Sequence, residues 1–248
     1  MNSEAFTKIS AAHKAPSVVL LCEHASNRIP LPLIASKQDQ TWLNTHWAID
    51  IGVTDVIQAL TQNLGCPAVL ANFCSLVCDA NRPLDEPTYI RQSLEGKELT
   101  FNHPLEDHEI QRRTETYYLP YHQAVDTMIK ERLTLDRNFF LLSLHSFTPV
   151  YMGEKRELEI GVLYDDYAQE AAFFHQAFKQ HGFNVQYNEP WSGVDGMIFS
   201  PHKHGTEHQL INLELEFRQD LIDTPEKAAK MGETLSDIIA RFSKQLFL

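Results

Sequence analysis

Two histidines end two apolar runs. His24 follows SVVLLCE at 17–23, and His145 lies in NFFLLSLHS at 138–146. Each run has the length and aliphatic content of a buried strand. Each histidine leads into a polar turn, Ala25-Ser26-Asn27-Arg28 in one case and Ser146-Phe147-Thr148-Pro149 in the other. In open α/β sheets, ligands bind beyond the carboxyl ends of the strands. Two imidazoles placed there suit a metal or catalytic site, since a catalytic zinc typically takes three protein ligands and keeps one position open. Two carboxylates compete to be the third ligand. Asp50 falls in the first turn of a helical stretch at 47–63, where it would also complement the helix dipole. Glu23 adjoins His24, but neighbours on an extended strand point to opposite faces.

Further candidates lie near other strand ends. Glu214 and Glu216 interrupt the apolar run LINLELEF at 210–217, and their i, i+2 spacing puts both carboxylates on one face. Burying an ionised carboxylate is costly unless it is paired or metal-linked, so the alternative is an exposed edge strand. Asn81 and Arg82 follow the second apolar run, where a guanidinium with a neighbouring amide suits a substrate carboxylate. His202, His204 and His208 form H-x-H-x3-H in a polar loop; a substrate contact by His204 is favoured over a metal cluster. The sequence contains no GxGxxG, P-loop, GxSxG or HExxH motif, which removes the corresponding nucleotide, serine-hydrolase and zincin chemistries.

The elements that must position these groups alternate. Strands are expected at 17–23, 67–73, 139–144, 159–164, 184–187 and 210–217. Helices are expected at 47–63, at 105–133 with a break or kink at Pro120, at 167–181 and at 225–246. Residues 84–96 read as a long ordered loop, and 1–16 as a flexible segment. Short, nearly continuous apolar strands alternating with helices imply a single-domain, three-layer α/β/α fold over 1–248, with a mainly parallel mixed sheet.

Composition limits the partners. The 248 residues carry a formal net charge of −12, with 43% hydrophobic and 22% charged residues. That balance fits a soluble globular protein and argues against nucleic acid, which needs a basic face. It also disfavours long-range steering of anions, so an acidic substrate would require local arginines. No apolar signal core or membrane span is evident, and Cys22, Cys66, Cys74 and Cys78 show no zinc-finger or CxxC spacing. A cytoplasmic protein with reduced thiols is expected.

Seven ordered blocks between 22 and 222 resemble the N-formylglutamate amidohydrolase family: CEHASNRIP at 22–30, WAIDIG at 47–52, DANRPLD at 79–85, LHSFTP at 144–149, EIGVLYD at 159–165, NEPWSG at 188–193 and EFRQDLI at 216–222. The resemblance implies a fold akin to zinc carboxypeptidases and cell-wall amidases, and hydrolysis of an N-acyl amide such as N-formylglutamate. It implies His24, His145 and Asp50 as ligands of a divalent metal, zinc foremost, and Glu216 as the general acid/base. Asn81, Arg82, His204 and Arg218 are the implied substrate contacts. The family often carries Ser-Arg after the second strand where this chain has Cys74-Ser75, which points to a changed N-acyl amino acid rather than a changed reaction. The rival readings are an amidase for peptidoglycan or another peptide-like substrate, and a non-catalytic ligand-binding relative.

Overall fold

The computed structural model describes residues 5–11 and 17–247. Seven strands build the main sheet: β1 (Phe6–Ile9), β2 (Val18–Cys22), β3 (Ala68–Ala71), β4 (Phe140–Phe147), β5 (Ile160–Leu163), β6 (Val185–Tyr187) and β7 (Asn212–Arg218). Their order is β1-β3-β2-β4-β7-β5-β6. The central strands β3, β2, β4 and β7 run parallel, while β1 is antiparallel to β3, and β5 is antiparallel to β7. β2, β3, β4 and β7 are buried along their whole lengths; β2 and β3 accordingly lack the polar alternation of a solvated sheet, whereas the alternation of Asn212–Arg218 places a polar row inside the protein.

Residue parity divides the two core layers. Val18, Leu20 and Cys22 face a layer built with α1 (Val53–Leu64), α4 (Ala168–Gln180) and α6 (Pro225–Phe247). Val19 and Leu21 face the opposite layer, which includes α3 (Leu119–Leu133). The expected three-layer mixed sheet is therefore present.

Five local expectations need correction. Phe6–Ile9, within the segment expected to be flexible, pairs with Ala68–Ala71 as the sheet's edge; residues 1–4 and 12–16 lie outside the described residues. The loop expected at 84–96 ends in a small hairpin, Ser93–Leu94 against Lys97–Glu98. The stretch 105–133 is not simply kinked at Pro120. A π-helical turn at Thr114–Tyr118 separates α2 (Asp107–Arg113) from α3, just ahead of a residue that has no N–H for the helical ladder. The histidines at 202–208 belong to a helix, α5 (Phe199–His208), rather than a loop.

The helix expected to begin at Trp47 begins instead at Val53, because Gly52 precedes it at φ +84°. This left-handed turn frees Asp50 from the helix. A Cβ at Gly52 would lie 2.1 Å from the Ile222 carbonyl oxygen, so both backbone conformation and space require glycine. Gly52→Ala is expected to destabilise the protein by about 1–3 kcal/mol or more, the usual cost of a strained backbone with a clash added. Urea denaturation would measure it, and an unchanged midpoint would contradict this account.

Candidate active site

Strand register assembles the polar cluster. In the β4–β7 ladder Glu216 pairs with His145 and Glu214 with Ser143, and in the β2–β4 ladder Leu21 pairs with Ser143. Two residues beyond Leu21, Glu23 comes level with His145. Glu23, His145 and Glu216 thus form a row across three adjacent strands, while Leu144, Leu215 and Phe217 fill the opposite core layer. β7 lies between β4 and β5, so its glutamates are not edge residues exposed to water. Both are buried.

His24 and Asp50 meet this row from outside the ladder. The Asp50 N–H donates to the His24 carbonyl at 3.1 Å, tying the turn before α1 to the end of β2. Asp50 Oδ2 lies 2.8 Å from His145 Nδ1 and 3.5 Å from His24 Nδ1, and accepts a hydrogen bond from the Ser146 N–H at 3.2 Å. The outer nitrogens meet other carboxylates: His24 Nε2 lies 2.8 Å from Asp79 Oδ1, and His145 Nε2 lies 3.1 Å from Glu23 Oε2. One potential ligand atom from each of His24, Asp50 and His145 falls within 4.8 Å of the others.

The outer carboxylates are themselves held. Tyr121 Oη donates to Glu23 Oε1 at 3.0 Å and Ser143 Oγ to Glu23 Oε2 at 2.6 Å. The Asn81 N–H donates to Asp79 Oδ1 at 2.8 Å, and Asn81 Nδ2 to Glu214 Oε2 at 3.1 Å. Glu216 differs, since its buried Oε2 has no hydrogen-bond partner.

These contacts set opposite proton affinities. Burial opposes charge on each group. At His24 it is outweighed by Asp79 and Asp50, which raise the imidazole to about 10. At Glu23 it is outweighed by contacts with His145 and Ser143, which hold the carboxyl at about 2. Glu214 moves up to about 7, because burial and the nearby Glu23 charge exceed the pull of His145. Glu216 is raised well above the usual range by burial, which the attraction of His145 only partly offsets and to which repulsion from Asp50 and Glu214 adds. A carboxyl that holds its proton towards neutrality suits general acid/base work.

A cavity of about 290 Å³ opens over this cluster. Its lining includes His24, Asp50, His145 and Glu216, together with Asn81 and Arg82. Two expected substrate contacts lie elsewhere. His204 is buried, with Nε2 2.9 Å from His122 Nδ1. Helical spacing in α5 turns Ser200, Pro201, His204 and Gly205 inwards together. The same spacing separates the other two histidines, sending His202 towards Asp165 and His208 towards Asp126. Arg218 is occupied by Asp220, at 2.7 Å from Nε, and by the carbonyls of Arg156, Glu157 and Leu158. It anchors the segment that carries Arg156 to the cavity.

Several participants escaped the sequence reading. Asp79 was visible only as part of a motif, and Glu23 only as a rival ligand. His46, Arg91, Tyr151 and Arg156 also line the cavity; Tyr151 comes from a two-residue hairpin strand paired with Glu154–Lys155 and the others from segments outside helices and strands, none with a periodic signal. Ser75 lines it too, its Oγ donating to the Trp47 carbonyl at 3.3 Å.

A parallel-centred α/β sheet with a carboxylate–histidine cleft at its strand ends is an architecture suited to hydrolysis. The chain belongs to the N-formylglutamate amidohydrolase family, whose model matches residues 16–223, and this makes it a member of an amidohydrolase family. A gene product of Agrobacterium tumefaciens has a similar structure, with 30% identity and a TM-score of 0.89, covering 98% of this chain and 96% of its own. The N-formylglutamate amidohydrolase of Ralstonia eutropha shares the fold at 17% identity and TM-score 0.76, covering 98% of this chain and 99% of its own. No curated protein matches the sequence.

The raised proton affinity of Glu216 has a definite sign in stability. Its ordinary value is 4.5. Above that pH the unfolded chain has released the proton while the native metal-free protein retains it, so this group's contribution falls as pH rises. Glu216→Gln removes the liability. In chelator-treated protein, the variant's unfolding free energy relative to the parent is expected to rise between pH 5 and pH 8. A pH-independent difference in urea titrations would contradict the assignment.

Proposed function

We propose that the protein is a metal-dependent amidohydrolase that cleaves the formyl or acyl amide of an N-acyl amino acid, of which N-formylglutamate is the leading example. The observation carrying this reading is the convergence of His24 Nδ1, His145 Nδ1 and Asp50 Oδ2, while each outer imidazole nitrogen lies against a carboxylate. A metal-ligating histidine needs its lone pair towards the ion and its N–H towards such an acceptor, and outer carboxylates set that tautomer. His24, Asp50 and His145 therefore fit a divalent ion, and two nitrogens with one oxygen suit zinc.

Such an ion would supply Lewis acidity, acidifying water and polarising the scissile carbonyl. The chain's own contribution is to position and move protons. Glu216, with Oε2 buried and without a partner, accepts the proton of the attacking water and returns it to the leaving amine nitrogen. Glu214, tied to Asn81 Nδ2, keeps the polar row ordered beside it. Arg82 and Asn81 border the same cavity and orient the substrate's α-carboxylate.

A cavity of about 290 Å³ is of a size to hold a small molecule. Among the described residues no helix is long and apolar enough to cross a membrane. Four buried, unbridged cysteines support a reducing, cytoplasmic setting.

Protein purified without chelator is expected to carry close to one metal ion per chain by elemental analysis. His24→Ala and His145→Ala should each lose it while remaining folded. Absence of metal, together with deformylation indifferent to chelation, would refute metal dependence. In an assay of free amine released from N-formyl amino acids, Glu216→Gln should retain metal and lower kcat by about 10²–10⁴-fold. Glu214→Gln should mainly disturb metal retention or stability. The reverse pattern would transfer the proton-transfer role to Glu214.

A further inference from the structure

The π-helical turn Thr114–Tyr118 breaks the hydrogen-bond ladder between α2 and α3. Such turns are rare and recur at functional sites. This one re-phases the helix. Regular spacing would set Arg113 and Tyr121 about 80° apart, yet both are fully buried, because the extra residue of the turn rotates one towards the other.

Side chains from the turn, and from Arg113 just before it, reach the segments that shape the cavity. Arg113 Nη1 donates to the Val77 carbonyl at 3.0 Å and to Asn102 Oδ1 at 2.5 Å, and Nη2 to the Phe101 carbonyl at 2.8 Å. Asn102 Nδ2 donates in turn to the carbonyls of Leu76 and Arg91, at 2.7 and 2.6 Å. The segment 72–106 has little regular structure of its own. One buried guanidinium and one buried amide gather its backbone instead.

Two hydroxyl contacts act closer to the reacting centre. Residues 79–82 form a turn in which the Arg82 N–H donates to the Asp79 carbonyl at 3.2 Å, and the Asp79 N–H donates to the Tyr89 carbonyl at 2.8 Å. Tyr89 Oη lies 2.9 Å from Thr114 Oγ1. The threonine hydroxyl already donates to the Ile110 carbonyl at 2.8 Å, so the phenol is the donor. At the far end of the turn, Tyr118 Oη donates to the Arg82 carbonyl at 3.0 Å. The Tyr89 and Tyr118 rings meet edge to face, with centroids 5.2 Å apart. Asp79 is thereby gripped from both sides, and its Oδ1 lies 2.8 Å from His24 Nε2. A carboxylate in that position sets the tautomer and orientation of a ligating imidazole, so its placement controls how well the imidazole holds an ion.

We propose that the π-helical turn is a positioning device for the active site: Tyr118 and Thr114 hold the 79–82 turn so that Asp79 meets His24, while Arg113 fixes the rest of the segment. This inference rests on the metal-dependent reading and extends it to positioning residues set behind Asp79 in the opposite core layer to α1 and α6.

The test is a double-mutant cycle on zinc affinity, measured by competition with a chromophoric chelator. Asp79→Asn should weaken zinc binding by about 10–100-fold. Tyr118→Phe keeps the ring and removes the hydroxyl, and should weaken it by at least about 5-fold. In the Asp79→Asn background the same substitution should change affinity by less than about 2-fold, because the hydroxyl then has no carboxylate to position. Thr114→Val should behave like Tyr118→Phe and supplies the cycle if that variant does not fold. Ser236→Ala is the control: it removes a buried hydroxyl from α6, which donates to the Gly232 carbonyl at 2.6 Å, and should leave zinc affinity within about 2-fold whatever it does to stability. Parental affinity in both Tyr118→Phe and Thr114→Val, losses that multiply with that of Asp79→Asn, or an equal loss in Ser236→Ala would overturn the positioning role and leave the amidohydrolase reading intact. A parent protein that binds no zinc or other divalent ion would overturn that reading, and this inference with it.

Discussion

The Asp50 carboxylate between two imidazoles is the interaction on which the rest of the site depends. Its Oδ2 approaches Nδ1 of both His24 and His145, and the far side of each ring meets Asp79 or Glu23. With Glu214 and Glu216, five buried carboxyl groups surround two imidazoles. Such an excess of acid in a low-dielectric interior is expensive. It can be relieved by proton uptake, which the environments of Glu214 and Glu216 favour, and by a bound cation, to which the geometry of His24, Asp50 and His145 is suited. Proton uptake and cation binding are also what the proposed amide hydrolysis would require, so the electrostatic burden of the native state matches that reading.

The fold holds this burden by dividing the sheet into two faces. Apolar residues at alternate positions of β2, β4 and β7 pack against α1, α4 and α6, leaving the opposing positions near the strand ends free for Glu23, His145 and Glu216. Because register moves in steps of one residue, a slip in β7 would exchange Glu216 for Leu215 or Phe217. The paired ladders on both sides of β7 prevent this. Asp50 needs a different device, since it must approach from outside the sheet. Gly52 lets the chain turn sharply enough to do so, and the Asp50–His24 backbone hydrogen bond closes the approach.

Arginine serves two physical purposes here. Arg218 satisfies backbone carbonyls at 156–158 and pairs with Asp220, so its contribution is to fix a loop. Arg156, carried by that loop, rests its guanidinium on aromatic rings beside the cavity. A carbonyl cluster consumes the donors of the first, whereas ring faces leave the donors of the second available. Proximity in sequence to Glu216 therefore does not decide which arginine borders the cavity.

The sequence by itself determined the strand–helix alternation, the burial of the central strands and the delivery of His24 and His145 towards the carboxyl ends of β2 and β4, although β4 continues past the expected turn to Phe147, because periodicity and apolar continuity are local properties. It also placed Glu214 and Glu216 on one face, since that follows from the two-residue repeat of a strand. What lay outside its reach was set by contacts between distant segments. The start of α1 depended on the left-handed turn at Gly52, and the edge strand Phe6–Ile9 on a partner some sixty residues away. His204 turned inwards because α5 packs on β7, where a Cβ on Gly205 would meet Asn212 at 2.2 Å. Glu23 and Asp79 became partners of the histidines, and Arg91 and Arg156 became neighbours of one cavity, only after loops from separate parts of the chain converged. Side-chain chemistry and local repeat are written along the chain; which acceptor each charged group finds is decided by tertiary packing, because partners distant in sequence supply the desolvation and the hydrogen bonds.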